Sequence, residues 1–138
     1  AERGAGAHPY FIPVEHTAFA RGVMGAEALL APEQAVVFET DPTKARAIAR
    51  QHMKTYTRLP NYVNNLVRLG FTADEVTQQE DRVVDAIVAW GTTDQITSRI
   101  KAHLDSGADH VCVQVLTDAT GTLPMKQWQE LADATRSI

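Results

Sequence analysis

The sequence predicts an α/β fold built from parallel β/α units, on three observations. Residues 83–116 run as an apolar stretch ending at Trp90, a turn at Gly91, an amphipathic helix, a glycine at 107 and a β-branched segment, VCVQVL. This succession spells a β-α-β unit, whose strands are parallel because the intervening helix carries the chain back. The segments VCVQVL and IVAW are apolar almost throughout, as strands covered on both faces are. Finally, strand-type and helix-type segments alternate along the whole chain.

Taken in order, residues 1–6 (AERGAG) read as a helix end followed by a glycine turn. Residues 7–12 (AHPYFI) are expected as a strand, with Pro9 confining it to an edge or end. Pro13 suits the opening of a helix over 14–24, which Gly25 closes. Residues 26–32 read as a connector, and 34–40 (QAVVFET) as the second strand. Asp41-Pro42 is an N-cap followed by proline in the first turn, which starts a helix expected to reach Leu59 before Pro60 stops it. Residues 61–69 form a further short helix with Gly70 as its cap. Thr72 and Glu75 match a capping box. The polar stretch 77–81 (TQQED) reads as a loop. A short strand at 87–90 follows, then a helix capped from Thr92-Thr93-Asp94, with Ile96, Ile100, His103 and Leu104 on its buried face. Gly107 takes the left-handed C-cap. A strand over 110–116 and a helix over 124–136, with Trp128 and Leu131 facing inward, complete the chain.

The chain is expected as a single α/β domain over residues 1–138, long enough to bury a core. Hydrophobic residues make up 44 % and charged residues 22 %, an ordinary globular balance. A net charge of −4 with scattered Lys and Arg argues against a nucleic-acid footprint, which needs a basic stripe. No apolar run approaches the roughly 18 residues of a membrane span. The single cysteine, Cys112, excludes a disulfide framework and points to a reducing, cytoplasmic setting. The start at Ala-Glu-Arg hints at a piece of something longer. Four strand–helix pairs amount to half of an eight-stranded barrel and equally to a small doubly wound sheet; spacing alone leaves both open.

The segments GAHPYFIPVEHTAFAR, LLAPEQAVVFETDPTKARAIAR, LPNYVNNLVRLGF and IVAWGTTDQITSRIKAHLDSGADHVCVQVL, in that order, resemble the C-terminal half of the luciferase-like flavin or deazaflavin oxidoreductases. More narrowly they are similar to the actinobacterial branch that uses coenzyme F-420. The resemblance spans essentially the whole chain. It implies the C-terminal half of a TIM (β/α)8 barrel, from its fifth strand to its last helix, with a flavin-like ring held at the C-terminal mouth. The implied chemistry is hydride transfer with coenzyme F-420, or FMN-dependent oxygenation in a luciferase-like monooxygenase. The other four strands carry much of the family's ring pocket, so the chain is expected to hold part of a site. It is expected to pair with that half or to form a homo-oligomer, and a half-barrel that self-associates without catalysis stands beside the enzyme.

Candidate residues follow from the resemblance. The segment His8-Pro9-Tyr10-Phe11-Ile12-Pro13 matches the loop that lies near cofactor phosphate and substrate, so His8, Tyr10, Phe11 and Ile12 are cofactor-binding candidates; the alternative makes Tyr10 and Phe11 core and His8 a satisfied buried histidine. Gly91 and Thr92 open a helix whose amides can meet an anion, although ordinary capping explains them equally well. Asn61, Tyr62 and Asn65 are substrate candidates on a lid over the mouth, or a capped surface helix with Tyr62 turned inward. Glu15 complements a helix dipole, and His52 and His103 read as packing residues. Asp109-His110 reads as a turn. No paired His/Cys spacing suggests a metal, no GxGxxG suggests a nicotinamide cofactor, and no catalytic residue can be assigned.

Overall fold

The computed structural model describes residues 4–119, 121–136 and 138. Its elements are β1 (Gly6–Ala7), α1 (Val14–Met24), β2 (Leu29–Leu30), β3 (Glu33–Val37), α2 (Pro42–Met53), a 3₁₀ turn (Tyr56–Arg58), α3 (Pro60–Arg68), α4 (Ala73–Gln78), α5 (Asp81–Ile87), β4 (Val88–Trp90), α6 (Thr93–Asp105), β5 (Cys112–Val115) and α7 (Met125–Ala134). Every strand pair among the described residues is parallel. The molecule is thus mixed α/β with short parallel strands in open sheets. No helix among the described residues is long and apolar enough to cross a membrane.

Residues 29–37 form the axis of the sheet. β1 pairs with β2, and β3 lies between β4 and β5. Backbone bonds join these two pieces. Leu29, Ala31 and Glu33 donate to Ala5, Ala7 and Pro9 at 3.0, 2.9 and 2.9 Å, while Asp109, Cys112 and Leu116 donate to Leu30, Pro32 and Val36 at 2.9, 2.9 and 2.8 Å. One edge of the axis therefore meets 109–116 along its whole length. The other edge meets the first strand below and β4 above. The register is Ala35↔Val88 on one side and Ala35↔Gln114 on the other.

This arrangement corrects several sequence expectations. The first strand ends at Ala7, short of 12, because Phe11 takes a left-handed φ of 57° that no strand accommodates. Residues 29–30, expected as connector, are a strand. The expected strands 34–40, 87–90 and 110–116 shorten to Glu33–Val37, Val88–Trp90 and Cys112–Val115. A consecutive strand order would seat 88–90 between 33–37 and 112–115; it lies on the far edge instead. The expected helix end over 1–6 falls mostly on residues 1–3, outside the described residues.

Helix boundaries follow local chemistry. Asp41 Oδ1 accepts the Thr43 and Lys44 N–H groups at 2.9 and 3.1 Å, capping α2. That helix stops at Met53, before the expected Leu59. Leu59 precedes Pro60 and is extended (φ −94°, ψ 122°), since proline excludes its predecessor from the helical region; the chain tightens into the 3₁₀ turn beforehand. Thr72 and Glu75 form the reciprocal capping box of α4. Residues 77–81 are not a loop: α4 includes Gln78, left-handed Gln79 (φ 54°) breaks it, and α5 resumes at Asp81. Pro13 is the N-cap of α1 rather than its first helical residue. Trp128, expected inside, is 41 % exposed, while Leu131 of the same helix is buried.

The two faces of the sheet carry different layers. Val36 and Ala89 pack on Ile96 and Ile100 of α6 and Leu131 of α7. α1 joins this layer through Thr17, 2.8 Å from His103 of α6. Ala35, Val37, Val88 and Leu116 point the other way, onto α2, α3, α4 and α5. Arg46 ties that second layer together. It meets both oxygens of Asp85, at 3.0 and 2.6 Å, the bidentate geometry that makes such pairs specific, and Trp90 donates to the same carboxylate at 2.8 Å.

Candidate functional site

The second layer covers the upper part of its sheet face and leaves the lower part open. Glu33 is buried there (6 % exposed), whereas Cys112, its register partner, is half-buried and Gln114 is exposed. Alternation along parallel strands places Glu33, Cys112 and Gln114 on one face.

Beside them the first strand turns a corner. Pro9 accepts the Glu33 N–H, and the Phe11 N–H points at Glu33 Oε2 from 3.5 Å. Phe11 sits at φ 57°, uncommon for a bulky side chain and costly by about 1–3 kcal/mol, so its surroundings must hold it. They do so with aromatic rings. Phe11 stacks on Tyr56 at 5.0 Å and 29°, and meets Tyr62 edge-on at 5.5 Å. Tyr10 lies 5.3 Å from Tyr56 and 6.5 Å from His52. Its hydroxyl lies 3.2 Å from that of Tyr56 and donates to Gln114 Oε1 at 3.1 Å, so Tyr56 supplies the proton of the bond between the two phenols.

The electrostatics of this cluster favour uncharged forms. Burial pushes the Glu33 carboxyl up to about 7, against weaker opposition from the Phe11 N–H and His8. Among the described residues Glu33 Oε1 has no hydrogen-bond partner. Burial, then the bond to Tyr56 and the nearby Glu33, raises the Tyr10 phenol. Burial lowers His52, whose Nε2 is also buried without a partner. None of the ion pairs among the described residues includes Glu33. A neutral carboxyl, a phenol and an imidazole side by side can exchange protons and bond a polar ring edge.

His52 also borders a groove of about 600 Å³ between α2 and the C-terminal end of β5, lined by Ala47, Ile48, Gln51, Val115, Leu116, Thr117 and Asp118. Its mixed lining and size suit a flat, partly polar ligand. Strand C-termini are also where parallel α/β sheets bind ligands.

The structure brings some predicted residues together and separates others. Tyr10, Phe11 and Tyr62 form the cluster. His8 is exposed at its margin, and its Nδ1–H donates to the Ala31 carbonyl at 2.6 Å, so it is not the buried histidine of the alternative reading. Ile12 is core, 4 % exposed. Asn61 is exposed, and Asn65 accepts from Arg68 on its own helix at 3.1 Å. Gly91 and Thr92 line another hollow with Glu39, Thr40, Lys126 and Glu130. There the Thr92 N–H already donates to Gln95 Oε1 at 2.8 Å, and Thr92 Oγ1 accepts the Gln95 N–H at 3.4 Å. Gly91 is required: at φ 122°, an added Cβ would sit 2.0 Å from Gln95 Oε1.

Four members of the cluster escaped sequence reasoning: Glu33, His52, Tyr56 and Gln114. A carboxylate and an amide inside otherwise apolar strands (PEQAVV, VCVQVL) were the available signal, as was the i, i+4 spacing of His52 and Tyr56. Among the described residues no group of three or more His, Cys, Asp or Glu side chains is placed to hold a metal. No family model matches the chain, and neither does any curated protein or solved structure.

Proposed function

We propose that this chain is the C-terminal part of a luciferase-like, coenzyme F-420-dependent oxidoreductase, working by hydride transfer between a deazaflavin and an organic substrate in the cytoplasm. The observation that carries the reading is strand order. Residues 5–9 and 109–116 flank 29–37 as parallel neighbours, and α1, α6 and α7 lie together on one face. This supports reading them as part of a β/α barrel wall with these helices outside. β4, paired on the upper edge of β3, and helices α2–α5, on the other face, then count as an insertion, so the chain would supply three wall strands rather than four.

The cluster fits the ring of such a cofactor in chemical type. Among the described residues Glu33 Oε1 and His52 Nε2 are buried polar atoms without partners, and His52 lines the groove at the strand ends. When bound, F-420 would supply the hydride chemistry; the protein's part is to orient and shield the ring. Tyr10, Phe11 and Tyr62 would pack at its margin, with His8 at the rim and Ile12 behind them. Gly91 and Thr92 remain candidates for a phosphate, and Asn61 and Asn65 for substrate. FMN in place of F-420, with luciferase-like monooxygenation, is the variant of the same reading.

Titrating the protein with oxidised F-420, reduced F-420 and FMN, followed by fluorescence, tests the proposal. Binding of F-420 in preference to FMN is the expected result; no affinity for either overturns it.

A second reading, a non-catalytic half-barrel that self-associates, draws on the surface. Phe19, Val23 and Leu29 are 61, 71 and 52 % exposed, and Leu123, Met125 and Trp128 are 66, 52 and 41 % exposed. Exposed apolar residues of this kind mark contact surfaces. Light scattering decides: a dimer without affinity for F-420 or FMN favours association alone.

A further inference from the structure

We infer that Glu33 is the proton-exchanging group of this site, serving a planar heterocycle that carries an ionisable ring oxygen or N–H. The inference rests on the proposed function for its ligand and goes beyond it in assigning a residue and a role. Glu33 is 6 % exposed, and one carboxyl oxygen has no partner among the described residues. A structural carboxylate in a sheet is ordinarily paired with a cation or hydrogen-bonded through both oxygens. Glu33 has neither. Its other oxygen meets a long bond from Phe11, the residue in left-handed conformation. Strained backbone and an unsatisfied buried acceptor together are characteristic of ligand sites rather than of packing.

The surroundings favour proton exchange over fixed charge. The titratable groups facing Glu33 are His8 and Tyr10 just after the first strand, Tyr56 and Tyr62 through the Tyr10 phenol, and Cys112 on β5. None makes an ion pair with it. Burial, the dominant influence, places its titration near 7, where a group gives and takes a proton with least cost at neutral pH. On the same face Cys112 is half-buried and Gln114 exposed, so a ligand would approach Glu33 from that side. The step balances simply. The O–H bond at Glu33 Oε1 breaks, a bond forms between that proton and the ligand's anionic oxygen or nitrogen, and Glu33 is left as carboxylate. The reverse restores it, with no change of oxidation state.

Glu33→Gln tests the role, since the amide keeps size and burial but cannot titrate. The first readout needs no ligand: carbon NMR of labelled glutamate in the chain is expected to show one carboxyl titrating near neutrality, absent in the variant. All carboxyls titrating at ordinary values overturns the inference. The second is the proton count on binding oxidised F-420, from calorimetry in buffers of different ionisation enthalpy. The variant is expected to exchange about one proton fewer across pH 5–8, with affinity that no longer varies through that window. An unchanged count overturns the role of Glu33 and leaves the F-420 reading standing. If the wild-type protein does not bind F-420, the family reading falls, and the carboxyl titration alone decides whether Glu33 exchanges protons.

Discussion

His103 Nε2 lies 2.9 Å from Gln34 Oε1, and this contact fixes the proton on a fully buried imidazole. Gln34 spends both amide hydrogens on the Ala35 and Ile87 carbonyls, at 2.7 and 2.9 Å, so its oxygen can only accept. His103 therefore donates from Nε2, and the Thr17 hydroxyl donates to Nδ1 at 2.8 Å. Helix α1, helix α6, β3 and the end of α5 meet in this one chain of hydrogen bonds.

The neutral form is thus built in, and burial with the nearby Arg99 holds His103 down to about 4. A histidine whose folded pKa lies below its unfolded value of 6.5 stabilises the fold fully above 6.5 and loses that contribution as pH falls toward 4. The expected loss is at most about 3 kcal/mol. Urea unfolding between pH 4 and 7 checks it; His103→Gln is expected to flatten the slope in this range while lowering stability at pH 7.

Glu33 has the opposite sign. Its folded pKa, about 7, lies above the unfolded 4.5, so burying it as an acid costs little below 4.5, and the penalty grows as pH rises to 7. Glu33→Gln removes the penalty. The variant is expected to match the wild type near pH 4.5 and to exceed it above pH 7, by up to about 3 kcal/mol. A variant less stable at pH 8 than at pH 5, relative to wild type, contradicts this.

Phe11 provides a test of backbone strain. Losing its buried ring costs about 3–5 kcal/mol on substitution by alanine. Glycine loses the ring too, yet tolerates φ 57° without strain. Phe11→Gly is therefore expected to be more stable than Phe11→Ala by about 1 kcal/mol, the reverse of the usual order. Thermal melts of the two variants compare them directly.

Arg21 ties the turn after α1 to the turn after α6. It donates to Gly107, Gly25 and Ala28 carbonyls at 2.8, 2.6 and 2.8 Å, and to Asp109 at 2.6 Å. Arg21→Lys keeps the charge but not the fork, and is expected to cost about 2 kcal/mol through the carbonyls left unpaired. Gly107→Ala is expected to be comparably harmful, since a Cβ there would stand 2.8 Å from Arg21 Cγ at φ 99°. Melting temperatures read both.

The readable parts of this fold are the local ones. Asp41-Pro42, Thr72 with Glu75, and Thr92 before α6 mark helix starts because the capping bonds span two or three residues. The amphipathic face of α6 was legible for the same reason. Non-local choices were not. Nothing near Leu29 says that it pairs with a strand more than twenty residues earlier, and nothing in Pro-Tyr-Phe-Ile dictates a left-handed Phe11. At the site, Tyr10 and Tyr62 were visible as candidates, but Glu33, His52 and Gln114 gain meaning only when the sheet register and α2 bring them beside Tyr10. His103 read as a packing residue; its polar role depends on Thr17 and Gln34, which are distant in sequence.

The edge of residues 29–37 that changes neighbour at Glu33 divides the sheet into two zones of protection. Amides of Leu29, Ala31 and Glu33 are shielded by the first strand alone, whereas the upper strand is clasped by β4 and β5 together. In deuterated water those three positions should label early and as a group, each time the first strand lifts, while the peptide groups of β4 and β5 wait for global opening. Glu33 stands on that seam, so a brief departure of residues 5–9 exposes its carboxyl without dismantling the rest of the sheet.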